Sequence, residues 1–160
     1  MEFTTADLCD GYSELVQVAQ PLFREYGGLA KFGGLVETLK VFEDNALVRE
    51  TLEGDGQGRV LVVDGGGSLR CALVGGRLAS VAHANGWAGL VVNGSVRDSA
   101  ELGQIALGIR ALNSVPQRSG KQGTGQRGVP VEFAGVAFYP GSFLYADADG
   151  IVVAKRDLLA

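Results

Sequence analysis

Apolar residues run along this chain in short, dense segments cut apart by turn signals. Arg59-Val60-Leu61-Val62-Val63 and Ala88-Gly89-Leu90-Val91-Val92-Asn93 are nearly continuous apolar runs of strand length, the pattern of strands buried on both faces. Residues 35–42, rich in β-branched and apolar types, read as another strand. At the start, Thr4 or Thr5 can cap a helix running to about Val16, with Leu8, Tyr12 and Leu15 on one face. Asn45 sits where a cap is needed for a short helix over 46–52, which Gly54-Asp55-Gly56 stops. Helical spacing follows in Leu69, Ala72 and Leu73, and again in Leu78, Val81 and Ala82, with Gly75-Gly76 dividing them into two short helices. The strand at 88–93 then completes a βαβ unit with parallel strands and a right-handed crossover. Gly94-Ser95-Val96 reads as the turn that ends it.

The second half changes character. A helix over 99–105 and a strand over 109–115 precede a loop at 116–128 that contains Gly120, Gly123 and Gly125. Short strands follow at 129–133, 136–139, 143–146 and 151–154, separated by turns such as Pro140-Gly141 and Asp149-Gly150. A parallel βαβ core followed by a β-rich end predicts an α/β chain of the layered β/β/α kind rather than a doubly wound sheet. No internal repeat or boundary divides it, so 1–160 reads as a single domain. That length suffices to bury roughly two-thirds of the unfolded surface without disulfides or metal staples.

Composition narrows the chemistry. Glycine supplies 25 of 160 residues, against a usual share of about 7%. These glycines punctuate apolar segments, so tight turns and close backbone approaches account for most of them. Net charge is −4 and the basic residues are scattered, which argues against direct binding of nucleic acid or an acidic membrane. Cys9 and Cys71 lack any metal or redox spacing and read as reduced thiols, and no signal peptide or apolar run of about 18 residues is visible. The expected location is the cytoplasm. His83 is the only histidine, which excludes a three-histidine zinc site and a serine–histidine triad within one chain.

Arg97-Asp98 follows the strand at 88–93, at the end where open α/β sheets hold ligands. Arg97 offers a planar fork for a carboxylate, and Asp98 a hard oxygen suited to Mg²⁺ or Mn²⁺. The structural alternative is a helix cap in which Asp98 bonds the amides of Glu101 or Leu102. Gly75-Gly76-Arg77-Leu78 restarts a helix, and its free amides form either an anion site or a plain hinge. Asp64-Gly65-Gly66-Gly67-Ser68 looks like the glycine loop of a nucleotide or methyl-donor site, but lacks the GxGxxG spacing and reads as a tight turn. The glycines of 120–125 suggest a mobile lid or subunit-contact loop. Glu43-Asp44-Asn45 and Asp147-Ala148-Asp149 read as turn and cap chemistry.

Together these segments resemble the family of the regulator of ribonuclease activity A and the 4-hydroxy-4-methyl-2-oxoglutarate aldolases, across essentially the full chain. The resemblance is carried by Asp7-Leu8-Cys9-Asp10, Phe32-Gly33-Gly34, Val41-Phe42-Glu43-Asp44-Asn45, the segment 60–68 and Tyr145-Ala146-Asp147. Its most specific element is a glycine, twenty residues, then Arg-Asp, matched by Gly76 and Arg97-Asp98. The resemblance implies a swivelling β/β/α domain assembled as a homotrimer. It implies that the amides of Gly75, Gly76, Arg77 and Leu78 hold a pyruvyl group, that Arg97 binds its carboxylate or keto oxygen, and that Asp98 holds a divalent cation, Mg²⁺ or Mn²⁺. The implied activity is class II cleavage of a small 2-keto acid to pyruvate, with oxaloacetate decarboxylation alongside. A ribonuclease is the partner implied by the regulator branch, and a non-catalytic inhibitor is the alternative function. Lys31, Lys40, Lys121 and Lys155 lie outside the proposed site segments, which favours a metal over a Schiff base.

Overall fold

The computed structural model describes residues 1–160. In chain order its elements are α1 (Thr5–Gly11), β1 (Val16–Val18), β2 (Arg24–Glu25), β3 (Phe32–Lys40), α2 (Ala46–Leu52), β4 (Val60–Asp64), β5 (Ala72–Val74) and α3 (Gly76–Ala84). There follow β6 (Gly89–Val96), α4 (Ser99–Leu102), β7 (Gly108–Ser114), β8 (Gln126–Arg127), β9 (Val131–Phe133), β10 (Val136–Phe138), β11 (Phe143–Asp147) and β12 (Gly150–Ala154). The main sheet runs β1-β12-β11-β3-β4-β6-β7-β2, with a parallel centre of β3, β4, β6 and β7 and antiparallel flanks. The β9–β10 hairpin forms a separate sheet.

Side-chain alternation along the central strands builds two cores. Leu61, Val63, Leu90 and Val92 point to one face, where Val48 and Leu52 of α2 and Ala79 and Ala82 of α3 cover them. Val60, Val62 and Val91 point to the other, under Val131, Phe133, Val136 and Phe138 of the hairpin. Hairpin, sheet and helices are the three layers of the expected β/β/α architecture. A third cluster packs Phe3 and Leu8 of the N-terminal segment against Tyr145 and Val152. At the amino ends of β6 and β7, the paired glycines Gly89 and Gly108 form a seat for the Phe32 ring. A Cβ at Gly89 would stand 2.3 Å from that ring, and one at Gly108 2.0 Å.

The structure departs from the sequence reading in four places. Residues 69–73 are not a helix: Ala72–Val74 is β5, parallel to the end of β6. All three β5 residues are buried, so a spacing that suits a helix face equally suits a short strand enclosed on both sides. Gly94-Ser95-Val96 is no turn but the continuation of β6, with an irregularity in its register against β7 between Val92 and Ser95. The first helix stops at Gly11, because Val16 joins the sheet edge opposite Ala154. The helix expected over 99–105 is the single turn α4.

The 116–128 loop, expected as a mobile lid or a subunit-contact loop, is hydrogen-bonded to the body of the fold. The Ala72 amide donates to Gln117 O at 2.8 Å, the Asn45 amide to Gly120 O at 3.0 Å, and the Gly120 amide to Glu43 O at 2.9 Å. Asp44, only 4% exposed, is the clasp. Its Oδ2 accepts from the Gln122 amide at 2.6 Å, and its Oδ1 from the amides of Ala46 and Gly123. Asp44 therefore serves α2, while Asn45 turns its side-chain amide to Leu73 O instead. Burial raises the Asp44 pKa, but the amides of Ala46, Gln122, Gly123 and Thr124 outweigh it and hold the carboxyl below the usual value of 3.8.

Asp44→Ala is expected to destabilise the fold by about 2–3 kcal/mol in urea titrations at pH 7, as hydrogen bonds to a charged acceptor are lost. Because the folded pKa is depressed, this contribution is present above the unfolded pKa of about 3.9 and fades as pH falls through the folded value. The gap between wild type and variant should thus hold from pH 7 to 5 and narrow below about pH 4. A gap that closes between pH 7 and 5 would contradict the assignment.

Candidate active site

Strand β4 ends at Asp64, opposite Asn93, while β6 runs on to Val96. The vacated edge of β6 is taken by β5, with Ala72 opposite Ser95 and Val74 opposite Val96. The Arg97 amide extends this ladder to Val74 O at 3.0 Å. Two parallel strands therefore end side by side, and the residues leaving them, Gly75-Gly76 and Arg97-Asp98, are brought together. The twenty residues between Gly76 and Arg97 are the rest of α3, its connection and β6.

Asp98 adopts the left-handed conformation, φ 60° and ψ 43°, which costs on the order of 1 kcal/mol for a residue with a Cβ. That backbone turns the chain into α4 and sends the side chain back toward α3. Its Oδ2 accepts from the Gly76 amide at 2.9 Å. The capping alternative is not realised: the Asp98 side chain makes no cap bond, and Leu102 donates to the Asp98 backbone carbonyl. A carboxylate at the amino end of α3 is also favoured by the helix dipole. The two glycines let the side chains that follow β6 lie close to the backbone of the α3 terminus. A Cβ at Gly75 would meet Asp98 Oδ2 at 2.7 Å and Arg97 Cγ at 3.2 Å. A Cβ at Gly76 would overlap the Glu101 carboxylate, with Oε2 at 2.0 Å.

Gly75 is the N-cap of α3, and its carbonyl accepts the first helical bond from Ala79. With the Gly76 amide given to Asp98, the amides of Arg77 and Leu78 remain in the first turn as donors for an anion. They open on a cleft of about 640 Å³ that Arg97, Asp98 and Glu101 also line. Arg97 is half-buried and its side chain makes one hydrogen bond, to Pro116 O at 3.4 Å, and no ion pair, so most of its guanidinium donors are available to a ligand.

The cleft contains groups the sequence did not single out. Arg49 comes from α2, and Arg118, Ser119 and Lys121 from the fastened loop. Glu101 was read only as a cap partner, yet its carboxylate lies against Gly76, next to the Gly75 position that Asp98 approaches. Its position three residues after Asp98 was the available signal. Lys121, placed outside the site by sequence order, lines the cleft, but it is exposed and lacks the desolvated pocket that activates a Schiff-base lysine.

Other candidates fall away from this place. His83 is exposed in the last turn of α3, at the opposite end from the cleft. Asp147 holds the Thr5 amide and hydroxyl and the Asp149 amide, so it clamps the N-terminus. The 64–68 glycine loop is a tight turn with Leu73 against Gly65 and Phe42 against Gly66, and none of its residues lines the cleft. Burial pushes the Cys71 thiol pKa up, which leaves it inert. No helix is long and apolar enough to cross a membrane.

Comparison with known proteins places the chain in a family. A relative from Aromatoleum aromaticum named "Putative 4-hydroxy-4-methyl-2-oxoglutarate aldolase" is 56% identical, covering 99% of this chain and all of that one. A protein of the same name from Alkalilimnicola ehrlichii is 55% identical over 99% of both chains. The crystal structure of S-adenosylmethionine:2-dimethylmenaquinone methyltransferase from Geobacillus kaustophilus superposes with a TM-score of 0.96, at 51% identity and 98% coverage of each chain. The structure of the RNA-processing inhibitor RraA from Thermus thermophilis gives 0.94, at 51% identity over 98% of this chain and 94% of that one. The RraA-like family model, described as Aldolase/RraA, matches residues 5–153, and the chain belongs to that family.

Proposed function

We propose that this protein is a divalent-metal-dependent lyase that cleaves 4-hydroxy-4-methyl-2-oxoglutarate to pyruvate and decarboxylates oxaloacetate at the same site. The observation that carries this reading is the Gly76–Asp98 hydrogen bond, which joins an anion-binding helix terminus to a carboxylate and a free guanidinium in one cleft. The relatives named as aldolases support the same activity.

Both reactions break a carbon–carbon bond next to a 2-keto acid and leave its electron pair as a pyruvate enolate. The Arg77 and Leu78 amides hold the carboxylate of the pyruvyl group. Arg97 then lies beside the keto oxygen, where its fork stabilises negative charge as the bond breaks. Asp98 and Glu101 are hard oxygen donors brought to one turn, and they fit Mg²⁺ or Mn²⁺ completed by water and substrate rather than a full protein cage. When bound, such a cation supplies Lewis-acid stabilisation of the enolate. In the retro-aldol step the substrate hydroxyl gives up its proton, and a proton returns to C3 of the enolate. With no histidine in the cleft, water is the carrier for both.

The Thermus structure supports a second reading, a non-catalytic regulator that binds and inhibits an RNA-processing enzyme. An assay of pyruvate release from oxaloacetate and from the aldol substrate, with and without Mg²⁺ or Mn²⁺, separates the two. Tight ribonuclease inhibition without turnover under any divalent ion would favour the regulator. Homotrimeric assembly belongs to the proposal too. Leu15, Val18 and Leu22, exposed near edge strand β1, supply apolar surface for contacts between copies.

Asp98→Asn keeps an acceptor for the Gly76 amide and tolerates the left-handed backbone, but removes the charge. It should lower kcat on the order of 100-fold with an unchanged melting temperature. Chelator should silence the wild type until metal is restored, and full activity in a metal-free preparation would defeat the mechanism. Arg97→Lys, which keeps charge without the fork, should cost about 2–4 kcal/mol in kcat/KM; wild-type kinetics in that variant would make Arg97 structural. Sedimentation equilibrium should return three times the 16.7 kDa chain mass, and a monomer at micromolar concentration would exclude the trimer.

A further inference from the structure

The lyase reading uses Arg97, Asp98, Glu101 and the α3 amides, and leaves several cations of the cleft without a task. Arg49, Arg118 and Lys121 converge there with Arg77 and Arg97, against only two carboxylates, in a chain whose net charge is −4. Arg118 forms no ion pair, and Arg49 has only a solvent-exposed pair with Glu53 at 3.4 Å, a contact of little energetic value.

We propose that Arg118, aided by Arg49, is the subsite for the second carboxylate of the substrate and makes the protein selective for dianionic 2-keto acids over monoanionic ones. This deepens the lyase reading and rests on it for the position of the first carboxylate. The backbone around Arg118 is held on both sides. Arg118 bridges to Ala72 of β5, Gln117 O accepts from the Ala72 amide, and Ser119 is buried. Gly120 is bonded to Glu43 and Asn45, and Asp44 grips Gln122 and Gly123. A loop rich in glycine is thus ordered at the one stretch that carries a guanidinium into the cleft. The fold makes no other use of that side chain: it is exposed and bonds no carboxylate of the protein. A planar donor fork is suited to bidentate recognition of a carboxylate, and the loop backbone that carries it needs no further ordering when the anion arrives.

The test compares wild type, Arg118→Ala and Arg118→Lys. Cleavage of oxaloacetate and of the aldol substrate reads the dianion. Deuterium exchange into the pyruvate methyl group, followed by NMR in D₂O with Mg²⁺, reads the monoanion. Calorimetric binding of 2-oxoglutarate and of 2-oxobutyrate reads the same contrast without turnover. Arg118→Ala should lower kcat/KM for the dicarboxylates on the order of ten-fold, mainly through KM, while pyruvate exchange falls by less than about three-fold. Affinity for 2-oxoglutarate should drop in parallel while that for 2-oxobutyrate does not, and lysine should restore part of the loss. Equal losses for dianion and monoanion, or no loss for either, would overturn the subsite. A wild type that turns over nothing would end the lyase reading; an Arg118-dependent preference for 2-oxoglutarate would still support the subsite, and its absence would end both.

Discussion

Strand β6 outruns β4 by three residues, and the backbone it leaves bare at its carboxyl end must find partners. Ser95 and Val96 are fully buried, and an unpaired peptide group there would cost about 1–3 kcal/mol. Strand β5 meets that need, with the Ser95 hydroxyl adding a bond to Ser68 O at 3.1 Å. Because β5 is parallel to β6, its exit lies beside the exit of β6, and the helix terminus of α3 is set against Arg97-Asp98 by sheet geometry rather than by a loop. The donors are positioned by a packed scaffold before any ligand arrives, which is the condition for electrostatic stabilisation to act on a transition state.

The charge distribution follows the same division. Carboxylates that might compete for the cleft's cations are engaged elsewhere. Asp44 faces backbone amides, Asp147 clamps the N-terminus, and Glu43 takes a bidentate pair with Arg70 and a hydroxyl bond from Ser68. An anionic ligand meets overall repulsion from a chain of net charge −4, but at physiological salt that field is screened within about 8 Å, so the local cations decide.

The parts of the fold that could be read from the chain were those with strong local patterns. The apolar runs of β4 and β6, the helix at 46–52 and the C-terminal series of short strands stand where pattern put them. The Arg97-Asp98 and Gly75-Gly76 pairs were legible because strand ends and helix starts carry their own signatures. What escaped depended on partners far along the chain. Residues 72–74 become a strand only because β6 has a free edge, and 94–96 extend that strand only because β5 lies beside them. Two-residue strands such as β2 and β8 have no pattern to read. The fastening of the 116–128 loop was hidden for the same reason, since its acceptor, Asp44, lies some eighty residues earlier and looks like any turn aspartate.

The Phe32 seat on Gly89 and Gly108 bears on how the chain reaches this state. Parallel pairing of β6 with β7 is a non-local contact, and runs of similar apolar residues permit several alignments during collapse. A two-residue slip would present Val91 or Arg110 where the ring needs a bare backbone, and the aromatic could not dock. The seat thus acts as a register check at the far end of the sheet, admitting only the alignment in which Gly89 stands opposite Gly108. A chain paired out of that register would forgo the burial of the Phe32 ring.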